Sequence, residues 1–473
     1  MSSPIAPRAA LTALWQDANL PSEALRYLDL SGEEPALPSS FAVGTLAQVS
    51  IAAAALAAAE LWSERGASRQ RVAVSMRHAA LEFRSERYLR RDGQALPGLW
   101  DKIAGIYPCQ DGRWIRLHTN FPHHRDGVLK LLGCAYERAA VAEALLSWDA
   151  LEFEDAASVR GLCVGMARSF EEWDRHPQGL AAADGPLYQV DSLGEAPLRR
   201  RALAKRPLAG IRVLDLTRII AGPVCSRTLA AYGADVLHVT SPNLPSIESL
   251  VIDTGRGKRS CQIDLTTQEG KHTLEDLVRE ADVFVQGYRP GGLAEMGFGP
   301  SDLARLRPGI VAVSLSAYGP TGPWSSRRGF DSLVQMTSGI NWAEAQAHPE
   351  SNQPRALPAQ ALDHSAGYLM AFAAITSLIS QHRLGQSLHV QISLTQCGQW
   401  LRRLGRIEDG FRAADPGFDD ITDVLEDSAS GFGVLRAVRH AALFERTPAY
   451  WSQPSVPLGT DAPVWLPREA EAL

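Results

Sequence analysis

Asp363 heads the segment PAQALDHSAGYLMAFAAITSL, where small and apolar residues predict a helix. A carboxylate at a helix start has two readings. It satisfies free N–H groups as an N-cap, or it attacks an activated acyl group to form a mixed anhydride, with nearby N–H donors stabilising the oxyanion. Spacing alone favours the cap. Three further features suit an anionic, phosphorylated ligand. The loop Arg218–Pro223 (RIIAGP) leaves a predicted strand and enters a helix, so backbone N–H groups can face a phosphate. Arg256, Lys258 and Arg259 form a short basic cluster in GRGKRS. Arg289, in GYRPGG, directly follows a predicted strand, and ligands gather at the carboxyl ends of parallel strands. Each feature alone is equally readable as solvated surface charge; their occurrence after successive strands favours a binding site. His118, His123 and His124 match no metal-ligand spacing and read as loop histidines. Glu171, Glu172 and Asp174 read as an exposed acidic face at a helix start.

The elements that must position these groups follow from periodicity. Strands are predicted at Ile211–Leu216, Asp235–Val239, Cys261–Leu265, Asp282–Gln286 and Ile310–Leu315. Helices between them are predicted to run through Ala231, over Glu269–Glu280 and over Ser301–Leu306. That alternation predicts an α/β fold with a Rossmann-like parallel sheet. No GxGxxG follows the first strand, so neither NAD nor FAD is inferred. A Pro-, Gly- and Arg-rich stretch at 194–210 reads as a linker dividing the chain into 1–200 and 201–473. Residues 98–180 read as a smaller α+β unit. The segments Gly44–Met76 and Asp363–Leu394 resemble each other in order: an Ala-rich helix, a basic Gly turn, then a V-x-x-S strand. Where the second copy has Asp363, the first has Gly44 or Thr45.

Composition bounds the function. With 473 residues the chain is long enough for two or more folding units. Hydrophobic residues at 45% and charged residues at 21% exclude a disordered, collagen-like or disulfide-scaffold chain. The balance of 47 Lys+Arg against 53 Asp+Glu, a net charge of −6, is a poor footprint for nucleic acid. The 6 Cys include no CxxC pair or zinc spacing, so reduced buried thiols and no metal site are expected. The Ala-rich run Ile51–Leu61 falls short of the ~20 residues that cross a bilayer. No signal-peptide pattern opens the chain, and a cytoplasmic location with no membrane partner is expected.

The segments PLAGIRVLDLTRIIAGPVCSRTLAAYGADVLHV, GKRSCQIDL, ADVFVQGYRPGGLAEMGFG, LSAYGPTGPWSSRRGFDSLVQMTSG and ALDHSAGYLMAFAAI, in that order over about 208–400, resemble the family III CoA-transferases. That group includes formyl-CoA transferase, carnitine CoA-transferase and α-methylacyl-CoA racemase. The resemblance implies a Rossmann-like domain, a smaller domain and interlocked dimers, with coenzyme A or acyl-CoA as substrate and no permanently bound cofactor. It implies a carboxylic acid as second substrate and Asp363 as nucleophile, acting through an aspartyl anhydride and an aspartyl-CoA thioester. By the same resemblance Ile219, Ile220 and Ala221 line the CoA site and Lys258 reaches its adenine or phosphate end. Gly287, Tyr288 and Met296 border the nucleotide, and Arg328 and Phe330 flank the thioester.

Departures from the family pattern keep two alternatives in view. Thr240 stands where Glu is usual, Asn243-Leu244-Pro245 replaces the usual Gly-Asp, and Glu295 occupies a position that is often Arg. These suit a non-catalytic acyl-CoA binding relic. A racemase or isomerase is disfavoured because Phe330 stands where racemases carry His, although His364 adjoins Asp363. Residues 42–200 resemble family parts that ordinarily follow the catalytic helix, and the tail resembles the usual chain ending. The expectation is a partial tandem fusion, with one half lacking the nucleotide-binding domain and the other the small domain, forming a homodimer or a fused pseudo-dimeric monomer.

Overall fold

A computed structural model describes residues 4–468. In chain order, β1 (Leu28–Ser31), the long helix α1 (Val43–Glu64) and β2 (Val72–Ser75) come first. A small antiparallel sheet follows, of β3 (Gly105–Pro108), β4 (Trp114–Leu117) and β5 (Val164–Met166). After β6 (Tyr188–Glu195) come β7 (Arg212–Leu216), α2 (Ala221–Ala231), β8 (Asp235–Thr240), β9 (Lys258–Gln262), α3 (Gln268–Glu280), β10 (Val283–Gln286) and β11 (Val311–Ser316). The chain continues through α4 (Asp331–Thr337), α5 (Ala361–Leu384) and β12 (Gln386–Ser393), and the short strand β13 (Ala442–Phe444) lies near its end.

The seven-stranded sheet has the order β9-β8-β7-β10-β11-β12-β6, parallel except for its last strand. Successive strand residues alternate faces. Val213, Val283, Val285, Val311 and Val313 join the core shared with α5, while Leu214, Phe284 and Ala312 pack toward α3. Such two-sided burial explains why these strands read as continuous apolar runs. Thr267 caps α3, its hydroxyl accepting from the Gly270 N–H at 3.0 Å. The α/β architecture agrees with the sequence reading, with one shift that matters. The third strand starts at Lys258, not Cys261, and draws Lys258 and Arg259 into the sheet.

The boundary near residue 200 divides the chain but not its core. One continuous apolar core takes residues from α1, α2 and α5 together. The linker is anchored, Arg201 pairing with Asp282 at 3.1 Å. The two similar segments also occupy similar settings. α1 connects the parallel pair β1 and β2, as α5 connects β11 and β12. Each pair is then flanked by an antiparallel strand from the other half of the chain: β6 beside β12, and β13 beside β2. α1 and α5 pack against each other. Both are long and apolar enough to cross a membrane by length and composition, but they are 100% and 94% buried inside the fold over their most apolar windows.

Candidate active site

α5 begins at Ala361, with Gln360 at the cap position making no side-chain cap bond. Its unsatisfied N–H groups are met from outside the helix: those of Leu362 and Asp363 donate to Asp331 Oδ2 at 2.8 and 3.0 Å. Gln335, one turn along α4, donates to the other oxygen of Asp331. The N-cap reading of Asp363 is therefore corrected, because the capping carboxylate is Asp331, 32 residues upstream. The same bonds engage the two N–H groups nearest Asp363, which do not serve as oxyanion donors.

Relieved of capping, the Asp363 carboxylate makes no hydrogen bond or ion pair among the described residues and is 7% exposed. Burial first, then the charges of Asp331 and Glu86, hold it well above the ordinary carboxylate range. Burial likewise raises Asp331 to about 6, against the N–H bonds it accepts. A raised pKa leaves this carboxyl protonated at pH values where an ordinary aspartate is ionised. Any reaction that needs the Asp363 carboxylate should accordingly fall on the acid side at a pH above the usual carboxylate range. Asp331→Asn, which removes the nearest like charge, should move that limb of the kcat/KM profile to lower pH. A limb that stays in place would mean that another group controls it.

Asp363 lies where two cavities meet. The larger, of about 510 Å³, runs past Ile219, Ile220 and Ala221, then Gly287, Tyr288 and Arg289, to Met296. Arg218, Arg328 and Phe330 also line it. It opens beyond the carboxyl ends of β7 and β10, where the strand order reverses, the place an open parallel sheet offers a ligand. Arg218 packs 4.9 Å over the Phe121 ring and makes no ion pair among the described residues. α2 starts with no side-chain cap, and its first residue, Ala221, lines the cavity. Ile219 is held at φ 75°, strained for a β-branched residue, at the point shared by both cavities. Close helix packing sets this loop against α5: a Cβ on Gly367 would lie 2.5 Å from the Ala221 carbonyl oxygen.

The cluster Arg256, Lys258 and Arg259 requires a correction. None of the three lines the large cavity. Lys258 donates to Asp215 Oδ2 and the Pro223 carbonyl, both at 2.9 Å. Arg256 donates to Asp253 Oδ1 and the Val438 carbonyl at 2.8 Å each, and Arg259 to the Val464 carbonyl at 2.8 Å. Buried cations need such partners, and the early start of β9 turns what looked like a basic loop inward. Lys258 lines a separate cavity with Arg218 and Ile219, its ammonium engaged by Asp215 and the Pro223 carbonyl.

Arg289 does line the cavity, but Glu295 pairs with it at 2.8 Å on the surface. Glu295→Gln should free the guanidinium and lower KM for an anionic substrate held in this cavity by about 2- to 5-fold, since exposed pairs are worth under ~1 kcal/mol. Steady-state kinetics with that substrate varied would show it. An unchanged or higher KM would mean that Arg289 does not touch the substrate.

The second cavity, of about 30 Å³, is walled by Trp100, His118 and Asn120 from the small α+β unit, opposite Ile219, Phe330 and Asp363. His118 stacks on Phe330, ring centroids 3.9 Å apart, and its Nδ1 lies 3.2 Å from Ser332 Oγ. Burial, and next the Arg116 charge, keep its pKa well below the usual histidine value. His123, His124 and Cys163 line the larger cavity. These groups were not singled out as site residues. The available signal was alternation in RWIRLH, which sets Arg116 and His118 opposite Ile115 and Leu117.

Residues 208–403 match CoA-transferase family III. Over that span the chain is similar to the family. The matched span runs from just before β7 to just beyond β12 and contains Asp363, while the small α+β unit lies outside it. Similarity to an acetyl-coenzyme A transferase of Hypoxylon pulicicidum is 30% identity over 327 residues, 64% of this chain and 54% of that protein. A succinyl-CoA:glutarate CoA-transferase of Mus musculus is 32% identical over 202 residues, 40% of this chain and 45% of that protein. A crystal structure of a Mycobacterium tuberculosis protein is 32% identical, covering 42% of this chain and 56% of that one, with a TM-score of 0.40. The chain spans about half the length of the curated relatives it matches.

Proposed function

We propose that the protein moves CoA from an acyl-CoA donor to a free carboxylic acid through Asp363. One observation carries this reading: a buried carboxylate with no hydrogen bond or ion pair among the described residues, placed where a cavity of about 510 Å³ meets a small second cavity. The carboxylate attacks the thioester carbonyl, and the C–S bond breaks to give an aspartyl anhydride and CoA thiolate. The thiolate attacks the aspartyl carbonyl, releasing the donor acid and leaving an aspartyl-CoA thioester. The acceptor carboxylate displaces the thiolate to form a new anhydride. Attack of that thiolate on the acceptor's carbonyl yields the new acyl-CoA and restores Asp363. The uncapped start of α2 supplies positive potential to the groove.

One chain provides both walls of the site. The half before residue 200 contributes Trp100, His118 and Asn120, and the half after it contributes Ile219, Phe330 and Asp363. This supports the fusion reading of a single pseudo-dimeric chain with one site. At the matching position in α1 the packing is tight: a Cβ on Gly44 would lie 2.7 Å from Ala36 and 2.9 Å from the Glu34 carboxylate. We place the enzyme in a reducing compartment such as the cytoplasm, consistent with its 6 free thiols.

Trapping tests the reaction. Incubation with acyl-CoA and hydroxylamine should inactivate the enzyme and convert Asp363 to a hydroxamate detectable by peptide mass spectrometry. Full turnover without such modification would exclude the covalent route.

A further inference from the structure

Arg116 lies on β4, two residues before His118 and therefore on the same strand face. It is 7% exposed. Among the described residues its guanidinium makes no ion pair or side-chain hydrogen bond, and its Nε is sealed without a partner. Every other buried lysine or arginine described has a carboxylate within 4.0 Å, from Arg84 with Asp415 to Lys258 with Asp215. The one carboxylate whose charge raises the Arg116 pKa is Asp331, which makes no ion pair with it and is engaged by the N–H groups of Leu362 and Asp363. A buried cation without a paired carboxylate is costly, and a ligand can supply the missing partner.

What Arg116 touches is the active-site wall. Its guanidinium packs 4.9 Å from the Trp100 ring, and Trp100 in turn meets His118 edge-on at 5.7 Å. Trp100 and His118 both line the small cavity with Asp363. The Trp100 side is not sealed, since this residue is 43% exposed. Burial lowers the Arg116 pKa only to about 10, so the group is a cation at neutral pH.

We propose that Arg116 is a specificity residue for a second carboxylate, so that the preferred acyl group is that of a short dicarboxylic acid. The proximal carboxyl reacts at Asp363, while the distal carboxylate displaces the Trp100 indole and pairs with the guanidinium fork. Arg is suited to this task because its planar donors match a carboxylate two bonds at a time. The inference rests on the transferase reading above.

The test measures CoA exchange with chain-matched acids, succinate against butyrate and glutarate against pentanoate, in wild type, Arg116→Met and Arg116→Lys. Wild type should prefer the dicarboxylates. In Arg116→Met the dicarboxylate-to-monocarboxylate ratio of kcat/KM should fall about 10- to 100-fold, carried by KM. Arg116→Lys should recover part of that ratio. Equal use of both acid classes by wild type, or a ratio unmoved by Arg116→Met, would overturn the proposal. Hydroxylamine trapping at Asp363 separates the two levels: trapping without dicarboxylate preference leaves the transferase standing and removes only the role of Arg116. Absence of both exchange and trapping with every donor would remove both.

Discussion

Replacement of Asp363 by Asn or Ala is expected to reduce CoA exchange by at least about 10³-fold, the scale on which a covalent nucleophile fails. The effect on stability separates the two roles that this residue type can play at a helix start. A capping aspartate changed to Ala costs about 1 kcal/mol. Here the cap belongs to Asp331, and Asp363 is a buried carboxylate beside two like charges with its pKa well raised. Its removal relieves repulsion and desolvation, so inactive Asp363→Asn should be at least as stable as wild type. Urea unfolding beside the exchange assay checks both halves. Normal turnover would dispose of the nucleophile, while a loss of stability would return Asp363 to the cap.

Arg227→Met is expected to cost about 3–5 kcal/mol, as breaking a buried ion pair does when one charge is left behind. Arg227 is fully buried and donates to Asp253 Oδ2 at 2.7 Å and to Ser85 Oγ at 3.2 Å. Ser85 belongs to the half of the chain before residue 200, and Arg227 and Asp253 to the half after it. Burial alone would lower the Arg227 pKa, but the Asp253 carboxylate and the nearby Tyr368 and Glu82 raise it. Methionine fills a similar volume but leaves Asp253 with Arg256 as its remaining cationic partner. The urea midpoint should drop with little change in slope. A loss below about 1 kcal/mol would show that Arg256 alone neutralises Asp253 and that the halves are held by apolar packing instead.

Much of this protein was legible locally. Strand–helix alternation between residues 211 and 316 marked the parallel sheet, because a strand buried on both faces cannot hide its apolar run. Collinear motifs marked the family, and the Ala-rich character of α1 and α5 marked the repeat. The loop Arg218–Ala221 and the run Gly287–Arg289 line the cavity because both directly follow strands, and strand ends are local features that a sequence displays.

What failed to read locally depended on partners distant in sequence. Arg256, Lys258 and Arg259 looked like phosphate ligands, but Asp253, Asp215 and the Val464 carbonyl claim them inside the fold. Nothing in GRGKRS records that Asp215 waits 43 residues upstream. Nor does ALDHSAG disclose that Asp331 satisfies its N–H groups and leaves Asp363 free of capping.

By itself, then, the sequence determined the kind of sheet and the family resemblance, and left Asp363 with two readings. These rest on periodicity, on turn residues and on motifs, which act over a few neighbouring positions. Only the tertiary structure decided which charges line the cavity, that residues of the small unit line the small cavity beside Asp363, and that Arg116 is buried nearby without an ion pair among the described residues. The reason is that charge neutralisation and burial depend on contacts through space. Those contacts exist only once β6 and β13 have crossed between the halves and drawn the chain closed.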